Sequence, residues 1–235
     1  MLTNQHISQQ FEKQLQDIRS QLLAMGGLVE RQVSNAMQAL LTGDTDLARD
    51  VISGDDEVNK CDLAADESCI SIIALRQPSA GDLRLVTVIS KIITDLERVG
   101  DESVRIAKMA LNLSEKDRPN KNYRELRRLG MHVETMLRDS LDAFARQDAD
   151  LALKVAREDN SVDEEYESLL RQLMTYMMED PRKISRAIDM MWSARALERI
   201  GDHSRNIAEH TIYLVKGKDV RHLSIDKMEQ VIKQK

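Results

Sequence analysis

Glu97 and Asp101 stand four residues apart in Leu96-Glu-Arg-Val-Gly-Asp101, and the pattern returns as Leu197-Glu-Arg-Ile-Gly-Asp202. Residues four apart on a helix share a face one turn apart, so each motif presents two carboxylates in one direction. Like charges at that spacing repel by about 0.2–0.5 kcal/mol even in water. Apolar Ile93 and Val104 continue the first row, and Met191 and Ala194 precede Glu198 on the second. The pairs therefore border a core, where an uncompensated carboxylate costs several kcal/mol and a cation relieves it. Carboxylate oxygens make a hard site, suited to Mg²⁺, Mn²⁺, Ca²⁺ or iron and unlike a Cys-rich zinc site. The expected cofactor is a divalent or iron-type metal ion (Mg, Mn, Fe or Zn, the identity open) at Glu97, Asp101, Glu198 and Asp202.

A glycine sits in register in both motifs, Gly100 and Gly201. A mid-helix glycine costs up to about 1 kcal/mol relative to alanine, so something must approach the backbone there, a neighbouring helix or a metal cluster. The bland alternative is solvated ion pairing, Asp101 with Arg105 and Glu198 with Arg195, which carries no function. Asn206 stands four residues after Asp202, where no cation answers it. Further acids lie on the preceding helix of each half: Asp62, Asp66 and Glu67, then Asp163, Glu164 and Glu167. Asp62 and Asp66 are the additional ligand candidates from the first set. Asn59 stands where Asp163 would predict an acid.

Other chemistry is sparse. His203 follows Asp202 but points about 100° away on the helix, and His6, His132 and His222 read as surface residues. No Glu-x-x-His motif supports a di-iron oxidase. Met174, Met177, Met178, Met190 and Met191 follow helical spacing as core filler. Arg124-Glu-Leu-Arg-Arg128 reads as a solvated face. No Walker motif, nucleophile elbow or Ser/His/Asp arrangement stands out, so the expectation is a non-enzyme.

The elements that must position these acids are long helices. The chain has 235 residues, 9 Gly, 3 Pro and 3% aromatics, which disfavours sandwiches, barrels and Gly-rich α/β enzymes. A net charge of −6 opposes a nucleic-acid footprint. No run of 18 apolar residues and no basic-then-apolar leader is read, which predicts a cytoplasmic protein meeting membranes only through partners. Cys61 and Cys69, eight residues apart on one helix, are about 12 Å apart in rise and too far for a disulfide.

Apolar steps of three and four run from Phe11 to Leu40, Leu47 to Ile72, Leu83 to Leu111, Tyr123 to Phe144, Leu151 to Met177, and from Ile184, Ile188, Met191 and Ala194 onward to a C-cap at Gly217. Ser114 to Asn122 is the most polar stretch and the expected linker. Ala39 to Val51 aligns with Ala143 to Val155 at an offset of 104, and the acidic motifs align at 101. The shift is absorbed near Pro78 and Pro181. Two copies of a three-helix unit follow, with helices of about 30 to 36 residues, roughly 45 to 54 Å. The fold class is all-α, two tandem three-helix bundles with long antiparallel helices, over 1–115 and 123–217, with a C-terminal tail over 218–235.

The letters also resemble a known family. Arg76-Gln-Pro-Ser-Ala-Gly-Asp-Leu-Arg84, Asp95-Leu-Glu-Arg-Val-Gly-Asp101, Leu197-Glu-Arg-Ile-Gly-Asp202, Arg171-Gln-Leu-Met-Thr-Tyr-Met-Met-Glu-Asp180 and Tyr213-Leu-Val-Lys-Gly-Lys218 are similar to PhoU-family sequences. The resemblance implies metal ions or multinuclear clusters at the acidic signatures and a cytoplasmic homodimer or higher oligomer. It implies a negative regulator of the phosphate-starvation response and of phosphate uptake. Such a protein would bridge the ATPase subunit of the phosphate ABC transporter and a sensor histidine kinase. The alternative from the residues alone is a metal-dependent phosphoester hydrolase using the paired carboxylates.

Overall fold

A computed structural model describes residues 2–114 and 122–233, with side chains described for 9–114 and 123–233. Scarce glycine and proline leave the three-four apolar rows uninterrupted, and each row becomes a helix. These are α1 (Leu2–Thr42), α2 (Thr45–Arg76), α3 (Ala80–Ser114), α4 (Asn122–Arg146), α5 (Ala149–Glu179), α6 (Ile184–Lys216) and α7 (Ile225–Lys233), with a 3-10 turn at Pro181–Lys183 before α6. No strand occurs among the described residues. The expected linker lies almost wholly outside them.

The internal repeat is visible in the caps. Asp44 accepts from the backbone N–H groups of Asp46 and Leu47 at the start of α2, and Asp148 accepts from Asp150 and Leu151 at the start of α5. The residue before each cap is left-handed: Gly43 at φ 73°, Gln147 at φ 53°. The change of offset falls where expected, at Gln77–Ser79 in one half and Asp180–Lys183 in the other. Gly217, at φ 70°, closes α6 by donating its N–H to the Tyr213 carbonyl. Helix lengths are less even than expected, from 41 residues in α1 to 25 in α4.

α3 packs on α1 and α2, and α6 packs on α4 and α5, which completes the two three-helix sets. The most extensive contact between sets is α3 against α6. Along α3, Arg84 meets Tyr213 and Gly217, Asp95 meets His203, and Glu102 meets Arg199. Rising numbers on one helix meet falling numbers on the other, so the two run antiparallel, and this progression sets Gly100 level with Gly201. α1 and α4 pack the same way, with Glu30 to Arg138 and Gly26 against Leu141. Fully buried Leu22, Val29, Ile89, Leu96, Leu137, Leu197 and Ile200 fill the core.

Several expectations are corrected. Residues 225–233 of the expected tail form α7, whose Met228 and Ile232 are buried with Val220. Ile184 and Ile188, in the expected core row of α6, are about two-fifths exposed, and Trp192 on the same row is half exposed. Met190 is buried as expected, but Met174 and Met178 are exposed. All five lie towards the α5–α6 connection, where no other helix among the described residues covers that face. Leu83, the expected first core residue of α3, is exposed at the matching place in the first half. Cys61 and Cys69 are free thiols, and burial pushes Cys69 up to about 11.

Candidate functional site

The acidic pairs acquire partners from the helix packed beside them. In the first half α2 brings Asp55 and Asn59 against the row of Glu97 and Asp101 on α3. In the second, α5 brings Asp159 and Asp163 against Glu198 and Asp202 on α6. The glycines permit this approach. A Cβ on Gly100 would lie 3.3 Å from Val58 Cγ1 and from Gln32 Oε1, and 3.4 Å from Asp55 Oδ1. A Cβ on Gly201 would lie 3.2 Å from Val162 Cγ1. Of the two causes sequence allowed, a neighbouring helix is what meets both glycines.

Electrostatics register the crowding. Glu198, 9% exposed, is pushed up to about 7 by burial and by Asp202, Asp163 and Asp159, with Arg195 opposing. Asp202 and Asp163 are raised by burial and then by Asp159. In the first half burial and Asp101 raise both Glu97 and Asp55, and Asp62 adds to Glu97. Asp62 is itself raised by burial and then by Asp66. The neighbouring carboxylates repel one another in their charged forms, and a bound cation would relieve that repulsion.

The halves differ in internal compensation. Arg195 pairs with Glu198 and lies 5.9 Å from the Tyr166 ring centroid. Arg205 holds Asp159 at 2.7 Å and Glu209 at 3.0 Å. Thr94 and Val104 occupy the matching places in the first half, where Asn59 donates to Asp55 at 3.2 Å. The ion pair considered for Glu198 therefore forms. Arg105 instead joins Glu102, at 3.1 Å.

The remaining candidates lie around this centre. Asp66 is exposed and accepts from the Ser90 hydroxyl at 3.2 Å. Glu67 and Glu164 are exposed, and so is Glu167, which pairs with Arg171 at 3.3 Å. Arg124, Arg127 and Arg128 form an exposed face as expected. His222 is exposed, whereas His132 is half-buried against Glu158 at 3.1 Å. The His6 side chain lies outside the described residues.

Sequence reasoning missed two buried acids on α3. Asp95, 6% exposed, takes His203 Nδ1 at 2.9 Å, Asn206 at 3.2 Å and His210 at 3.6 Å, all across the α3–α6 contact. Despite burial, hydrogen bonds from His203, His210 and Asn206 hold its carboxyl below the usual range. Glu102, 3% exposed, takes Arg199 at 2.8 Å across the same contact. Asp55 and Asp159 were also missed, although they match at the 104 offset already established.

No three His, Cys, Asp or Glu side chains among the described residues converge as on one shared ion. The donor chemistry nevertheless fits a hard cation. All the groups are carboxylates, Glu198 Oε2 is buried without a hydrogen-bond partner, and so are both amide atoms of Gln32 beside Gly100. Glu97, Asp101 and Asp55 would offer oxygen donors in one half, and Glu198, Asp202 and Asp159 in the other, without three of them gathered on one point.

The repeat of helices and acids has a counterpart among known proteins. A family model described as PhoU domain matches residues 22–110 and again 126–211. The chain belongs to the PhoU family. A Pseudomonas aeruginosa relative, named phosphate-specific transport system accessory protein PhoU homolog, is 53% identical over 97% of this chain and 94% of its own. The Escherichia coli K12 protein named phosphate-specific transport system accessory protein PhoU is 50% identical over 97% of this chain and 95% of its own. The crystal structure of PhoU from Pseudomonas aeruginosa superposes with a TM-score of 0.87 at 53% identity, covering 88% of this chain and all of that one. A phosphate transport system regulatory protein PhoU from Streptococcus pneumoniae gives 0.83 at 31% identity, covering 89% of this chain and 99% of its own. In this PhoU-family chain no helix among the described residues is long and apolar enough to cross a membrane.

Proposed function

We propose that this chain is an accessory of phosphate-specific transport that acts as a metal-binding adaptor. It would be a cytoplasmic negative regulator of phosphate uptake and of the phosphate-starvation response. It would sit between the ATPase subunit of a phosphate ABC transporter and a sensor histidine kinase. Near full-length identity of 53% and 50% to two proteins named as accessories of that transport system carries the accessory role. The metal role is supported by two carboxylate clusters on facing helices, in which burial first and neighbouring carboxylates second raise Glu97 and Glu198. The ions would brace α2 against α3 and α5 against α6, fixing the outer faces that partners meet. A homodimer is part of the proposal.

The test is metal content per chain, by plasma mass spectrometry after purification without chelator. The comparison protein carries Glu97→Ala, Asp101→Ala, Glu198→Ala and Asp202→Ala. Stoichiometric Mn, Fe, Mg or Zn in the wild type, lost in the variant, is the expected result. Equal metal in both, with equal folding, would remove these residues from the site. Turnover of a chromogenic phosphoester with added Mn²⁺, abolished by Asp202→Ala, would overturn the adaptor in favour of a hydrolase.

A further inference from the structure

The outer surface of α2 carries apolar side chains that stay exposed among the described residues. Leu63 is 65% exposed, Ile70 59% and Leu75 73%. Leu63, Ile70 and Ala74 are seven and then four residues apart, so they stack within about 20° on one line of the helix. Beside that line, between α1 and α2, runs a groove of about 440 Å³. Ala64, Glu67, Ser68 and Ser71 form its α2 wall, and Asp17 and Gln21 form part of its α1 wall. Leu75 continues the row of Ala64, Ser68 and Ser71. There Arg76 donates to Gln14 at 2.8 Å, joining the two walls at that end.

The surrounding charge is mainly negative. Asp56, Asp66 and Glu67 flank the apolar line against Lys60, and Asp17 faces Glu67's side of the groove, whose far end holds Arg76. We propose that the apolar line of α2 and the α1–α2 groove form a docking surface for a basic amphipathic helix of a partner protein. Leu63 and Ile70 would anchor its apolar side, with Asp17, Glu67 and Asp66 meeting its cations. Charge complementarity decides the occupant. An acidic rim repels an anionic lipid surface, and two copies of this face pressed together would oppose their own carboxylates. An amphipathic helix docks through apolar anchors on one face; here Leu63 and Ile70 supply the anchors, and the groove, lined by Gln14, Asp17, Gln21, Glu67, Ser68 and Ser71, meets its polar edge. The groove lies on the α1 side of α2, whereas Asp66, which takes the Ser90 hydroxyl of α3, marks the edge that the apolar line shares with the acidic row of the first half.

The experiment uses the full chain and a fluorescein-labelled model helix of about 18 residues, roughly 27 Å, with leucines on one face and Lys/Arg on the other. Titration by fluorescence anisotropy at about 0.15 M salt, where the Debye length is about 8 Å, gives the affinity. Leu63→Ser/Ile70→Ser should weaken binding about tenfold or more. Asp17→Asn/Glu67→Gln should weaken it and flatten its salt dependence. Met174→Ser/Met178→Ser, equally exposed apolar residues on α5, should leave it unchanged. Equal affinity for all four proteins, or equal loss in the α5 variant, overturns the proposal. So does a wild-type dimer that Leu63→Ser/Ile70→Ser converts to monomer, since a second copy would then cover this face.

Discussion

Glu198 concentrates the electrostatic tension of the second cluster. Its carboxyl is raised from an ordinary 4.5 to about 7 by burial and three neighbouring aspartates. A folded-state value above the unfolded one means the stabilisation is complete below about pH 4.5 and lost as pH rises through about 7. The ceiling is about 3 kcal/mol at 1.36 kcal/mol per unit, and the solvent around half-exposed Arg195 lowers it. In chelator-treated protein, urea midpoints should fall from pH 5 to pH 8, and Glu198→Gln should remove part of that fall. Identical slopes in both proteins would sink the idea. The glycines give a second comparison at this scale. Alanine gains up to about 1 kcal/mol of helix propensity, while overpacking costs about 1–3 kcal/mol. Gly100 faces three close atoms, one a carboxylate oxygen, and Gly201 faces one at under 3.4 Å. Gly100→Ala should therefore destabilise by about 1–2 kcal/mol, and Gly201→Ala by clearly less; equal gains in both would contradict the close approach of α2. The Glu/Asp pairs were legible because both members lie on one helix at a fixed step. Asp55 and Asp159 were less so, since cross-helix register is set by tertiary packing. The Asp95–His203 pair was not legible, because residues about 100° or more off the acidic row point to whichever helix packs there.

Helix existence and ends follow from local signals, and the places where the halves differ show how. Gly43 and Gln147 occupy the same left-handed position before an aspartate cap, at φ 73° and 53°. Glycine adopts that region freely, whereas other L-residues pay roughly 1–2 kcal/mol. Against the extra freedom glycine returns to the unfolded chain, Gln147→Gly should stabilise by about 0.5–1 kcal/mol, and Gly43→Gln should destabilise by about 1 kcal/mol. Thermal unfolding of the two variants decides it; equal and opposite signs reversed from these would mean that the turn conformation is wrong. The 104 offset made this equivalence readable, but not which side of a helix stays uncovered. Periodicity marks Ile184, Ile188 and Met191 as one row, yet their exposure depends on how far α4 and α5 extend along α6. The nine-residue α7 was missed for a related reason: its apolar residues, Met228 and Ile232 among them, are few, and they become a face only once α5 lies beneath them.

At the scale of the molecule, two similar three-helix sets meet through their third helices, and this contact holds buried charge. Asp95 with His203 and His210, and Glu102 with Arg199 and Arg105, are paired across or along it. Pulling the sets apart would leave Asp95 without its histidines and Glu102 with Arg105 alone, next to apolar surface from Leu96 and Val99. Breaking a buried pair costs about 3–5 kcal/mol, so an intermediate with one set folded and the other melted gains little over full unfolding. The two-copy repeat was plain from the letters, whereas this dependence of one copy on the other was not, because its acids and histidines are not repeated: Asp95 matches Ala196, His203 matches Glu102 and His210 matches Met109. The single tryptophan, Trp192, lies on α6 and reports the second set alone, while far-UV circular dichroism reports every helix. Urea unfolding followed by both should give coincident transitions in the wild type. In Asp95→Ala/Glu102→Ala, which strips the α3 side of the contact, the dichroism should broaden or split while the tryptophan transition stays single. Separate transitions in the wild type would mean that each set is stable without the other and that the buried charges across α3 and α6 contribute little to holding them together.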